Sequence, residues 1–174
     1  MTIEVTVGVK LTPEQIAEEL WELCSDEQAK VFAHLAFITD NHDLNKLKKE
    51  IELYRDEHNL WLVDKEITNS AGNLCLHLIG NLNTFIGADM GNTGYIRKRD
   101  LEFSFKNVPR EELINKINEV IVIIETTLIE LTAEDLQKEY SRRVFEEKMT
   151  TEYFLVHLTT QLSYHQGQIN YHRH

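Results

Sequence analysis

The hydrophobic positions of this chain change period once, near residue 40. Ile3, Val5, Val7, Val9 and Leu11 alternate with Thr2, Glu4, Thr6, Gly8 and Lys10, the period-two pattern of a half-buried strand. A lone strand leaves its backbone groups unpaired. This one therefore requires a partner: the apolar run Leu60-Trp61-Leu62-Val63, or the same strand of a second subunit. Thr12, followed by Pro13 and with Gln15 completing a capping box, opens a helix striped by Ile16, Leu20 and Leu23. Ser25 and Gln28 repeat the spacing, and a second short helix runs to about Ile38 with Val31, Phe32 and Leu35 on its apolar face. Residues 1–40 read as an appendage of one strand and two short helices.

From residue 41 to residue 174 the period is helical throughout. Leu44, Leu47, Ile51 and Tyr54 share one face of a helix from Asp43 to about His58. The interval 59–67 is too short and too apolar for a flexible linker, and is expected to cross the bundle with Trp61 tucked in. Asn69 or Ser70 caps the next helix, which ends before the region Gly87 to Gly91. The stretch from Ala88 to Val108 reads as a long loop, anchored by Tyr95, Ile96, Phe103 and Phe105. Pro109 opens the most apolar helix, to about Leu131, carrying Leu113, Ile117, Val120, Ile121, Ile124 and Leu128. Thr132 with Asp135 starts a short helix to Tyr140, and Thr150 starts the last one. The fold class that follows is all-α, a four-helix bundle behind the N-terminal appendage.

Composition changes this picture little, and charge narrows it. A 42 % hydrophobic and 27 % charged chain of 174 residues can bury a core without staples. A formal charge of −11 repels nucleic acid and anionic membrane surfaces. No apolar run reaches the length of a membrane span, and the N-terminus lacks the pattern of a signal peptide. Cys24 and Cys75 show no metal-type spacing and read as reduced thiols of a cytoplasmic protein.

The candidate chemistry lies on two helix faces. Phe154, His157, Gln161, His165, Gln168, Ile169 and His172 recur every three or four residues on the last helix. Asn73, His77 and Asn81 stand at i, i+4 and i+8 on another, beside Leu74, Leu78, Leu82 and Phe85. Gly72 and Gly80 in that helix each cost about 1 kcal/mol against alanine and point to close approach by a backbone or a ligand. Two polar stripes on facing helices are how bundles build metal sites, with imidazole suited to Zn, Ni, Cu or Fe. They are equally how a bundle builds a hydrogen-bonded polar layer. His172 and His174, at the chain end, read as surface residues.

Three stretches carry a family likeness: Ser-Ala-Gly-Asn-Leu-Cys-Leu-His-Leu-Ile-Gly-Asn-Leu from Ser70 to Leu82, Gly-Tyr-Ile-Arg-Lys-Arg-Asp from Gly94 to Asp100, and Tyr-His-Gln-Gly-Gln-Ile-Asn-Tyr from Tyr164 to Tyr171. From about Asp43 to Arg173 the chain resembles the DinB/YfiT-like superfamily. The resemblance implies a four-helix bundle, commonly a homodimer, with a divalent metal such as Zn or Ni held by three histidines. His77 matches the first ligand and His165 the last, but the middle position is Gln161. A glutamine carbonyl is a poorer ligand than imidazole for these metals, and His157, the substitute one turn earlier, must reach about 6 Å further along the axis. The resemblance also implies a small-molecule substrate or low-molecular-weight thiol, handled by thiol transfer or hydrolysis. Arg97 and Arg99 are then candidates to clamp a substrate carboxylate or phosphate, or else partners of Asp100, Glu102 or another surface acid. Asn73, Asn81 and Tyr164 are candidates to orient the imidazoles. The competing expectation is a non-enzymatic bundle whose polar layer only fixes helix register.

Overall fold

The computed structural model describes residues 43–63, 68–144 and 146–174. The strand and two helices expected over residues 1–40, and Cys24 with them, lie outside the described residues. Six α-helices are present among the described residues: α1 Asp43–Glu52, α2 Ala71–Leu82, α3 Arg99–Ser104, α4 Arg110–Ile129, α5 Ala133–Gln137 and α6 Thr151–Arg173. The four longest form the bundle. α2 packs against both α4 and α6, and α1 packs against the same two helices.

Each bundle helix turns inward the stripe that its sequence dictates. Leu44, Leu47 and Ile51 of α1, Leu113, Ile117, Val120, Ile124 and Leu128 of α4, and Phe154, Leu155, Leu158, Leu162 and Ile169 of α6 are all buried. α2 is the central element: of its twelve residues only His77 is not buried. Its apolar surface extends all round because it is covered on several sides. Gly72 makes this possible, since a Cβ there would lie 2.7 Å from the Trp61 ring.

The ends of elements depart from the periodicity where side chains bond locally to the backbone. α1 stops at Glu52, not near His58, because Asp56 caps a separate 3-10 turn, Glu57–Trp61, by accepting from the His58 amide at 2.9 Å. Tyr54 nevertheless stays buried, as its stripe position requires. Leu60 and Trp61, half of the run expected to pair with a strand, are in that turn. After Leu82 the helix widens into a π-turn, Asn83–Ala88. Asn83 Nδ2 and Thr84 Oγ1 donate to the Ile79 and Gly80 carbonyls at 3.0 and 2.7 Å, drawing on the carbonyls that an α-helix would use. Thr132 and Asp135 form the expected capping box, but α5 closes at Gln137. Tyr140 has left the helix, and its amide donates to Met149 O at 2.9 Å.

Two further expectations change. The stretch 88–108 contains a helical turn, α3, set between Asn92 and Asn107, both at positive φ. His172 is not a frayed surface residue: its Nε2 lies 2.9 Å from Leu62 O and its Nδ1 2.8 Å from Tyr54 Oη. The end of α6 is tied down because Glu50, buried in α1, needs partners, and Asn170 Nδ2 and Arg173 Nε supply them at 3.1 and 3.0 Å. No helix among the described residues is long and apolar enough to cross a membrane.

Candidate functional site

His77 stands midway along α2, on the face shared with Asn73 and Asn81, where α3 and α6 close over it. Its ring lies edge-on to His165 of α6, with 5.3 Å between centroids, and tilted against Phe103 of α3 at 5.2 Å. Eight residues further on, in the π-turn that continues α2, Phe85 meets Phe154 of α6 at 5.2 Å. The two contacts fix α2 and α6 as antiparallel and set Gln161, half-buried, at a level between them.

Both imidazoles are anchored through the same atom. His77 Nδ1 lies 3.0 Å from Glu102 Oε2, and His165 Nδ1 lies 2.7 Å from Gln168 Oε1. An oxygen acceptor at Nδ1 favours the proton on that nitrogen and leaves the Nε2 lone pair free to accept or to ligate. At His77 the Asn81 amide nitrogen sits 3.2 Å from Nε2. Burial lowers the His165 pKa below its ordinary 6.5, the bond to Gln168 opposing and the nearby His77 reinforcing the shift. Burial thus favours its neutral ring.

Glu102 is the residue that the periodicity did not single out as chemistry. It lies in α3, 6 % exposed, and receives a two-pronged bond from Arg97: Nε to Oε1 at 2.6 Å and Nη2 to Oε2 at 2.7 Å. Burial alone would raise the carboxyl, but the hydrogen bonds from Arg97 and His77 outweigh it and hold the pKa below the ordinary range. The carboxylate rests against the backbone of α2 at Gly80, where a Cβ would come within 2.1 Å of Oε1. The sequence foreshadowed its pairing with Arg97 and, in Gly80, a helix-interior glycine in want of a neighbour, but not its contact with His77.

The other candidates are distributed more widely. Asn73 does not touch an imidazole in the bonds it makes: it donates to Glu102 O at 2.8 Å and Phe105 O at 2.9 Å, and accepts from Lys106 Nζ at 2.6 Å. Its task is to fasten the α3 segment to α2. Arg97 is committed to Glu102, whereas Arg99 is exposed and rests over the Phe103 ring at 6.0 Å. Tyr164 is 62 % exposed with its ring 5.3 Å from that of His165. His157 stacks on Phe154 at 6.0 Å, in an aromatic layer with Tyr140 and two turns from His165. Cys75 is wholly buried, which pushes its thiol up to about 12 and leaves it inert at neutral pH. A cleft of 440 Å³ borders Glu102, with Ile79, Tyr95, Lys98, Phe105 and Lys116 among its walls.

A family described as "Protein of unknown function (DUF1572)" matches residues 33–173. The chain belongs to the DUF1572 family. The match covers the whole described bundle and begins ahead of Asp43. A search of curated proteins and of solved structures returns no match. The DUF1572 match carries no activity with it, so the chemistry rests on the geometry of this chain. Among the described residues no group of three or more His, Cys, Asp or Glu side chains is placed to hold a metal ion. Of the expected ligands, the side chains seen to meet across the bundle are those of His77 and His165.

Proposed function

We propose that this chain is a DinB/YfiT-like bundle acting on a small molecule at a divalent-metal site made by His77, His165 and the carbonyl of Gln161. The observation that carries the reading is the shared anchoring of the two imidazoles: each has an oxygen acceptor at Nδ1, and the rings meet edge-on from facing helices. That is the orientation ligating histidines take when a neighbouring oxygen fixes the tautomer. Zn or Ni are the ions suited to such donors, and what either supplies when bound is a more acidic water or thiol. Thiol transfer from a low-molecular-weight thiol, or hydrolysis, follows as the reaction class. Asn81 must turn aside from the His77 Nε2 lone pair for an ion to take it.

The amide carbonyl makes binding weak and therefore easy to test. Gln161→His should raise Zn or Ni affinity by several orders of magnitude in an equilibrium titration of untagged protein, with the melting temperature rising as metal is added. If the variant binds no better than the natural chain, the open site does not exist. A second reading is favoured by the bonds His77 already makes at both ring nitrogens: a non-enzymatic bundle in which the layer fixes helix register. It expects Gln161→His to change stability alone. A homodimer is also proposed. It is supported by the outer face of α6, where Tyr153, Val156, Tyr164 and Tyr171 are exposed and no Asp, Glu, Lys or Arg occurs between Tyr153 and Tyr171.

A further inference from the structure

We infer that Glu102 is the positioning residue of the site, deciding which nitrogen of His77 faces α6, and that Gly80 and Arg97 serve to hold it there. The inference rests on His77 and His165 being the working groups, but the geometry behind it is independent of any metal. A free histidine side chain carries its proton mainly on Nε2, which would turn an N–H toward the site and leave no lone pair there. A carboxylate can only accept, and Glu102 Oε2 at 3.0 Å from Nδ1 calls for a proton on that atom. The opposing arrangement is also within reach: Arg97 Nη2 lies 3.1 Å from the same nitrogen and can only donate. The balance between them is settled by where the carboxylate sits. Arg97 Nη2 keeps a second N–H within reach of Nδ1, but an imidazole bare at Nδ1 would set its lone pair against the ionised Glu102 Oε2 at 3.0 Å, whereas a proton on Nδ1 turns that contact into a hydrogen bond.

Three arrangements hold the carboxylate at that spot. Gly80 opens a gap in the wall of α2, because a Cβ would stand 2.1 Å from Oε1 and 2.7 Å from Cδ. Asn73 binds the carbonyls of Glu102 and Phe105, which sets the α3 segment at its height along α2. Arg97 grips the carboxylate beside the same gap, its Nε 3.4 Å from where the Gly80 Cβ would be. A salt bridge wanted only for stability could be made on any outer face, without a glycine inside the central helix.

The test reads the tautomer directly, by nitrogen-15 NMR of the histidine side chains at pH 8.5 on the full chain, with metal removed and Asn81 unchanged. The wild type should carry the His77 proton on Nδ1. Glu102→Leu should move it to Nε2, and Gly80→Ala should do the same by pushing the carboxylate away while keeping every charged group. A wild type with its proton on Nε2 overturns the inference by itself, as does a folded Gly80→Ala chain that keeps it on Nδ1. Glu102→Leu strands Arg97; should it fail to fold, the wild type and Gly80→Ala decide. A nickel titration then separates the two levels of the argument. A ten- to hundredfold weaker affinity in Gly80→Ala, the usual loss on removing such an orienting partner, supports both. Tautomer shifts as expected with no nickel bound by any form leave the role of Glu102 standing and overturn the metal site.

Discussion

Two arginine–carboxylate pairs flank the same aromatic ring, and they do different things. Arg97 grips Glu102 and Arg142 grips Asp89, each through Nε and Nη2. Both guanidinium carbons lie about one ring's reach from Phe85, at 6.0 and 5.9 Å. Each carboxylate has a third partner: His77 for Glu102 and the Tyr140 hydroxyl, at 2.7 Å, for Asp89. The partners make the difference. Burial raises the Tyr140 pKa far above neutrality, and the Asp89 bond adds to it, so its O–H can only be a fixed donor. It fastens the segment after α5 to the π-turn. His77 has two nitrogens and a choice of proton position, so the same kind of carboxylate acts on it as an orienting group. Exposure separates the pairs further. The Arg97 and Glu102 side chains are 15 % and 7 % exposed, against 53 % and 11 % for Arg142 and Asp89. The first pair has little water to fall back on.

The largest contrast should come from deleting each acid. Glu102→Ala leaves Arg97 uncompensated in a dry site and should cost about 3–5 kcal/mol. Asp89→Ala leaves Arg142 free to hydrate and should cost about 1–2 kcal/mol. Urea melts measure both, and equal losses would show the two pairs to be equivalent staples. Tyr140→Phe should lose about 1 kcal/mol, the worth of one hydrogen bond, with no change in His77 chemistry.

Acid should then reveal both pairs. Burial raises the Asp89 carboxyl, but the bonds from Arg142 and Tyr140 outweigh it, so its pKa, like that of Glu102, ends below its ordinary value. A carboxyl lowered on folding gives its full stabilisation above the ordinary value, 3.8 for Asp89 and 4.5 for Glu102, and loses it as pH falls through the folded one. Burial likewise lowers His157 below 6.5; a buried base resists charging, so its contribution is full above 6.5 and fades below. Melting temperature should therefore decline in two stages from pH 8 to pH 3, a shallow one below 6.5 and a steep one below 4.5. His165 is lowered by burial in the same way, so His157→Phe should reduce the shallow stage without abolishing it, and an unchanged curve would assign the whole stage to other groups. The smallest effect belongs to Arg99→Ala, on the exposed side of α3. It should change stability by less than about 0.5 kcal/mol, with an unaltered His77 tautomer.

Much of the bundle could be read from spacing. The stripes of α1 and α4 are buried as written, Ile121 alone being half-exposed, and Thr132, Thr150 and Ser70 cap the helices they were expected to cap. Those signals are local, set by 3.6-residue periodicity and by side chains within three residues of the groups they bond. His77 and His165 stood among the polar positions repeated on apolar faces, and the family resemblance singled them out of those stripes. Glu102 was not singled out. Its pairing with Arg97, five residues away, was among the expectations, but Gly80, His77 and Asn73, which draw it into the site, lie more than twenty residues away. Asn73 was read as a support for histidine because it shares the His77 stripe, yet its amide reaches the α3 backbone instead. His172 was read from its position near the chain end, and no local pattern announced Tyr54 and Leu62 as its partners.

The sequence by itself determined the class of fold and the inward faces of four helices. It did so because periodicity and capping are written in neighbouring residues. Only the tertiary structure decided which acid stands behind His77, that Arg97 is engaged inside the chain, and that Asp89 and Glu102, two carboxylates with similar arginines, have unlike third partners. Those outcomes depend on which side chains the packing of α2 against α3 and α6 brings within 3 Å of one another. Hydrogen bonds are short-ranged and directional, so that proximity, and the gap at Gly80 that permits it, is invisible until the helices are in place.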